Sequence, residues 1–214
     1  MPDVDRITAE LFAIPNVVAV VLGGSRAAGT HRPDSDWDFG IYYEGELDVS
    51  HVRGLGYDGY VSEVGEWSPL MNGGAWFEID GEKVDVIYRS VDAVAHWIDE
   101  AEAGRFNVAL LNGYLAGFPT TVLVGEVALC KVLHGSLPFS VPTFPEQLRV
   151  TAPPSWRGRR DFHEMYAGFH AKRGDDMLAA ANRTRALIEE AHARMAEQGE
   201  WVLNEKGLLA RAGL

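Results

Sequence analysis

Apolar residues first recur at helical spacing: Ile7, Leu11 and Phe12 share one side of residues 5–13, and Pro15 ends the segment. The next run, Val17–Leu22 (VVAVVL), is unbroken, the pattern of a strand buried on both faces. Gly23 and Gly24 interrupt it, and residues 25–28 fit a single helical turn with Ser25 as its N-cap. The stretch THRPDS is a loop by its turn chemistry, and residues 36–43 read as a second strand. Further on, AWFEIDGEKVDVIYR predicts a hairpin that turns at Asp80-Gly81. From Asp92 the pattern becomes helical: Val94, Ala95, Ile98 and Ala101 fit, as does much of 122–133. Pro138, Pro142, Pro145, Pro153 and Pro154 predict irregular connections. Residues 175–198 predict a long helix whose stripe of Met177, Ala181, Thr184, Ile188, Ala191 and Met195 serves helix packing. The result is a mixed α/β front half and a mainly helical back half, with no internal repeat.

Composition narrows the class. A 47% hydrophobic fraction over 214 residues supports a substantial core. The single cysteine, Cys130, excludes an internal disulfide and a cysteine-based zinc site. His163, His170 and His192 lack a metal-binding spacing and read as surface or packing residues. There is no secretory signal and no apolar stretch long enough to span a membrane, so a soluble cytoplasmic protein is expected. The formal net charge of −12 argues against nucleic acid as a partner and suits a small polycation.

The chemistry concentrates in VLGGSRAAGTHRPDSDWDFGIYY. Asp36 and Asp38 flank Trp37, and residues two apart in a strand share a face. Two carboxylates on one face repel unless a cation lies between them. Asp85, inside the β-branched run Val84–Val86, is equally consistent with a plain solvent-facing position. Taken together, strand, Gly-Gly-Ser, helical turn, loop, Asp-x-Asp and a later strand Asp resemble the nucleotidyltransferase superfamily, the polymerase-β-like fold shared with small-molecule antibiotic nucleotidyltransferases.

The resemblance covers roughly residues 17–90. It implies an α+β fold: a polymerase-β-like core with a mixed sheet at 1–90, then a mainly α-helical substrate-binding or accessory domain at 91–214. It implies Asp36, Asp38 and Asp85 as ligands of two Mg²⁺ ions, with Asp36 and Asp38 on both metals and Asp85 on the one that activates the acceptor hydroxyl. Carboxylate oxygens are donors that Mg²⁺ prefers. Gly24, Ser25, Arg26 and Arg32 are the candidates for binding a nucleoside triphosphate, although either arginine is equally at home as a solvated loop residue. Members with small-molecule substrates often carry an arginine where this chain has Ala28, so phosphate contacts would come from Arg26, Arg32 or the helical domain, or be absent. Glu126, interrupting the apolar LVGEVALCKVL, is the candidate general base, with Glu78 and Glu82 as rivals.

The implied reaction is attack of a hydroxyl on the α-phosphorus of ATP or another NTP, with pyrophosphate leaving. The expected acceptor is a small molecule, such as an aminoglycoside-like polyol or amine. The alternatives are a tRNA or protein acceptor, as in toxin–antitoxin members, and a nucleotide-binding regulator without turnover. Trp67, Trp76 and Phe77 lie near the predicted site, for stacking or for core packing. Trp201, in the C-terminal WVLNEKG, reads as the anchor of a docked tail, while Lys206 is a further candidate for reaching a triphosphate.

Overall fold

A computed structural model describes residues 2–214, which divide into two compact units: residues up to 96 with 126–141, and 97–125 with 142–214. The first is built on a six-stranded mixed sheet in the order β3-β4-β5-β2-β1-β8. Its strands are β1 (Val17–Leu22), β2 (Trp37–Tyr43), β3 (Asp58–Val61), β4 (Gly74–Ile79), β5 (Glu82–Ser90) and β8 (Lys131–Gly135). Every neighbouring pair is antiparallel except β2 and β5, which run parallel.

The hairpin forms as the turn chemistry demands. Asp80 and Gly81 both take positive φ, 54° and 77°, which a type I′ turn requires and Asp-Gly supplies. Alternation then sorts the side chains. Ala75, Phe77, Ile79, Val84, Val86 and Tyr88 join Phe39 and Ile41 in one buried cluster. Helix α1 (Val4–Phe12) adds Ile7 and Leu11, and α3 (Val49–Arg53) adds Val49 and Val52. Asp3 caps α1 by accepting from the Arg6 amide, and Asp48 caps α3 by accepting from Ser50. With the apolar residues committed to that face, the polar alternates of β2, β4 and β5 fall on the other.

Sheet closure corrects one reading of the back half. Only residues up to 129 of the helical stretch expected at 122–133 are helical, as α5 (Thr121–Leu129). Lys131, Val132 and Leu133 belong to β8, which pairs with β1 from Leu22↔Lys131 to Ala19↔Gly135. A single cut at residue 90 therefore does not follow the compact units, because 126–141 packs with the front half.

The second unit contains a two-stranded ribbon, β6 (Val108–Ala109) and β7 (Phe118–Pro119), and two long helices, α6 (Glu146–Lys172) and α7 (Asp176–Gln198). Pro153 and Pro154, expected in a connection, lie inside α6. The carbonyls that they leave without intrahelical donors belong to Arg149 and Val150, both at exposed positions that water can reach. Only the C-terminal half of the α7 stripe is core: Ile188, Ala191 and Met195 are buried, while Met177, Ala181 and Thr184 are exposed. Trp201 is buried and packs on Phe144. Among the described residues no helix is long and apolar enough to cross a membrane.

Candidate functional site

The face opposite the helices carries the candidate chemistry, ordered by strand register. Asp38 of β2 is the direct partner of Asp85 on β5, Asp85 is the partner of Trp76 on β4, and Trp76 is the partner of Tyr60 on β3. Cross-strand partners put their side chains on the same side, Cβ atoms about 5 Å apart. Asp38 and Asp85 therefore stand side by side. Asp36 lies two residues before Asp38, just outside β2.

Asp38 is held by the turn after β1. The Gly23 amide donates to the Asp38 carbonyl at 2.7 Å. Gly24 sits at φ +59°, and a Cβ there would come within 1.8 Å of Asp38 Oδ2. The second glycine thus serves two ends, a left-handed backbone and room for the carboxylate. Helix α2 (Gly24–Ala28) follows, but its N-cap is Gly23, not Ser25, and no side chain caps it. The helix cap falls two residues earlier than expected because the glycine pair makes the turn.

Arg26 is engaged locally. Its guanidinium donates to the carbonyls of Asp36 (3.1 Å) and Ser35 (2.6 Å) and lies 4.0 Å over the Trp37 ring. It fixes the loop that presents Asp36 and Asp38. Arg32 is largely in solvent, with Asp34 at 3.5 Å.

Glu126 occupies a different part of the same unit. Both its carboxylate oxygens accept from Arg89, at 2.6 and 2.8 Å, and the Arg89 side chain is only 3% exposed. Arg89 also donates to the carbonyls of Met71 and Tyr88. The expectation of a general base at Glu126 thus meets an oxygen pair already committed to a buried guanidinium. Arg89 was missed in the sequence, yet a signal existed: it follows Lys83, Asp85 and Ile87 at strand alternation, which puts it on the site face. Glu78 is exposed, and Glu82 lies at the hairpin turn.

The donor set decides whether a cation fits. Asp38 and Asp85 offer adjacent anionic oxygens, the donors of a hard divalent cation, and Gly24 carries no Cβ to collide with the Asp38 carboxylate. Among the described residues no three His, Cys, Asp or Glu side chains are grouped to hold a metal ion: the register pairs Asp38 with Asp85 and does not gather Asp36 with them as a third ligand.

Fold and face together give a small mixed sheet with paired carboxylates beside a glycine turn. Residues 4–90 match the model of the nucleotidyltransferase domain. Such domains work in general with a nucleoside triphosphate and a divalent metal. None of the curated proteins matches the chain. Among solved structures the chain is similar to a nucleotidyltransferase-like protein from Exiguobacterium sibiricum, at 13% identity and a TM-score of 0.46. That likeness covers 98% of this chain and 60% of the other, so the chain spans about three-fifths of that protein's length.

Proposed function

We propose that the protein transfers a nucleoside monophosphate from ATP or another NTP to a hydroxyl of a small molecule, with release of pyrophosphate. The observation that carries this reading is the register pairing of Asp38 with Asp85 beside Gly23-Gly24 inside a nucleotidyltransferase domain. In this assignment Asp36, Asp38 and Asp85 hold Mg²⁺, two ions in the full complex. Bound Mg²⁺ would neutralise phosphate charge and polarise the reacting oxygens.

The chain's own residues supply the rest. The Gly24–Ser25 amides and the Ser25 hydroxyl face the triphosphate, and Arg32 is free to swing onto it. Arg26 acts through the loop, holding the main chain at Ser35 and Asp36 so that the carboxylates keep their places. Asp85 lies on the side away from the glycine turn and so orients the acceptor hydroxyl. Residues 91–214, mainly helical, are proposed as a substrate-binding or accessory region. The formal charge of −12 favours a cationic small molecule over tRNA.

Calorimetry of ATP binding with and without Mg²⁺ is the test, paired with pyrophosphate release against amine-bearing small molecules, tRNA and protein. Affinity that depends on Mg²⁺, with release supported by small molecules alone, is the expected result. Tight ATP binding indifferent to a chelator would sink the metal assignment, and release supported by tRNA or protein would replace the acceptor.

A further inference from the structure

On the site face, the row that carries Asp38 and Asp85 continues into aromatic side chains. Trp76, the register partner of Asp85, is 52% exposed, which is unusual for the largest apolar side chain. Trp67 stacks on it at 5.0 Å between centroids and 23° between planes, and Tyr60 lies 5.4 Å away on the other strand. The cluster is built into the backbone. A Cβ at Gly74 would come within 2.8 Å of the Trp67 ring, so the glycine makes room for the indole over the sheet. The Tyr60 hydroxyl donates to Glu66, which fixes that ring as well. Core packing does not account for the arrangement: the apolar face of β4 is supplied by Ala75, Phe77 and Ile79, and Trp76 alternates away from them.

The surroundings are acidic. Asp58 and Glu78 are register partners one step along the same face, both exposed, with Lys83 as the cation opposite Glu78. Strands lie about 4.8 Å apart, so Trp76 begins about 5 Å from Asp85 and Tyr60 about 10 Å from it. The glycine turn lies on the opposite side, beyond Asp38.

We infer that Trp76, backed by Trp67 and Tyr60, is the acceptor shelf of this site, selecting a ring that carries the reacting hydroxyl and a protonated amine about 5–10 Å beyond it. The inference rests on the nucleotidyl-transfer reading for what happens at Asp85, but the shelf is a binding surface in its own right. The ring lies flat on the indole, whose face attracts both polarised C–H bonds and ammonium groups. The amine reaches the carboxylates of Glu66, Asp58 and Glu78. The nucleotide contacts the other end of the row, so acceptor and nucleotide do not compete for the aromatic surface.

Binding without turnover provides the test. The full chain is titrated by calorimetry with neamine, a two-ring tetra-amine, and with maltose, its neutral two-ring counterpart, each with and without Mg²⁺-ATP. Neamine should bind and maltose should not. Trp76→Ala should weaken neamine at least tenfold, Trp76→Phe by less than threefold, and both should leave ATP affinity within twofold of wild type. Circular dichroism confirms that the variants fold. Equal binding of maltose, no binding of neamine, or unchanged affinity in Trp76→Ala overturns the shelf. So does a Trp76→Ala loss that falls on ATP instead, which would make the shelf a nucleobase platform. Failure of the nucleotidyl-transfer reading appears separately, as wild-type ATP binding that ignores Mg²⁺ while neamine still binds.

Discussion

Replacing Glu126 by glutamine separates a structural carboxylate from a chemical one. The Arg89 guanidinium is 3% exposed and donates two short bonds to Glu126, at 2.6 and 2.8 Å. Charge-assisted hydrogen bonds contribute about 1.5–3 kcal/mol each, and stripping one partner from a buried ion pair costs about 3–5 kcal/mol. Glutamine keeps one acceptor oxygen but no charge, and Glu126 is itself 26% exposed, so its cost falls at or just below the lower end of that range. Glu126→Gln should therefore lose about 2–3 kcal/mol and Glu126→Ala about 3–5 kcal/mol. At this chain length the glutamine variant should melt roughly 4–12 °C lower. Urea unfolding followed by tryptophan fluorescence and far-UV circular dichroism measures the loss. The double replacement Arg89→Met with Glu126→Leu should recover most of it, since apolar residues of similar size can stand in for a buried pair. A glutamine variant within about 0.5 kcal/mol of wild type but slowed 10²–10⁴-fold would refute this reasoning and restore Glu126 as the general base.

The remaining predictions concern three other residues. Gly24→Ala should fold yet lose at least about 10²-fold in turnover, because the new methyl collides with the Asp38 carboxylate; a rate near wild type would show that Asp38 need not hold its position. Asp85→Asn should retain Mg²⁺-dependent ATP binding in calorimetry while pyrophosphate release is lost, and normal release would remove Asp85 from the assignment. His192 is buried against Trp156, and burial pushes its imidazole down to about 4 from the usual 6.5. The unfolded chain then binds a proton between those values and the folded chain does not, so stability falls as pH drops from 6.5 to 4, by about 3 kcal/mol. Urea midpoints from pH 4 to 7 should flatten in His192→Phe, and an unchanged slope would place the acid sensitivity elsewhere.

How much of this was legible depended on whether a signal was local. The strand VVAVVL and the Asp80-Gly81 turn follow from short-range patterning, and β1 and the hairpin formed where expected. Asp38 and Asp85 share a face by alternation, but their pairing required a parallel β2–β5 contact, which no local pattern encodes. Ser25 looked like a cap because serine usually is one, and the glycine pair pre-empted it. Pro153 and Pro154 misled for a similar reason: the rule that proline ends helices assumes nothing else holds the helix, whereas α6 is packed along α7. Glu189 was invisible for the opposite reason. A fully buried glutamate looks like any other glutamate in a sequence until His163 at 2.8 Å and Arg185 at 3.4 Å are seen beside it. Trp76 was singled out, but only its register with Asp85 and its exposure distinguish a shelf from a core residue.

The origin of β8 in the back half also bears on synthesis. When residue 96 has been made, VVAVVL has only one neighbour, and its other edge is an unpaired, wholly apolar template for any passing strand. The strand that covers it belongs to a segment ending at residue 141. At about 5–20 residues per second, translating the intervening 45 residues takes roughly 2–9 s. During those seconds a nascent chain is sticky in a way the finished one is not, and a gene trimmed to the matched segment at 4–90 would make that interval permanent.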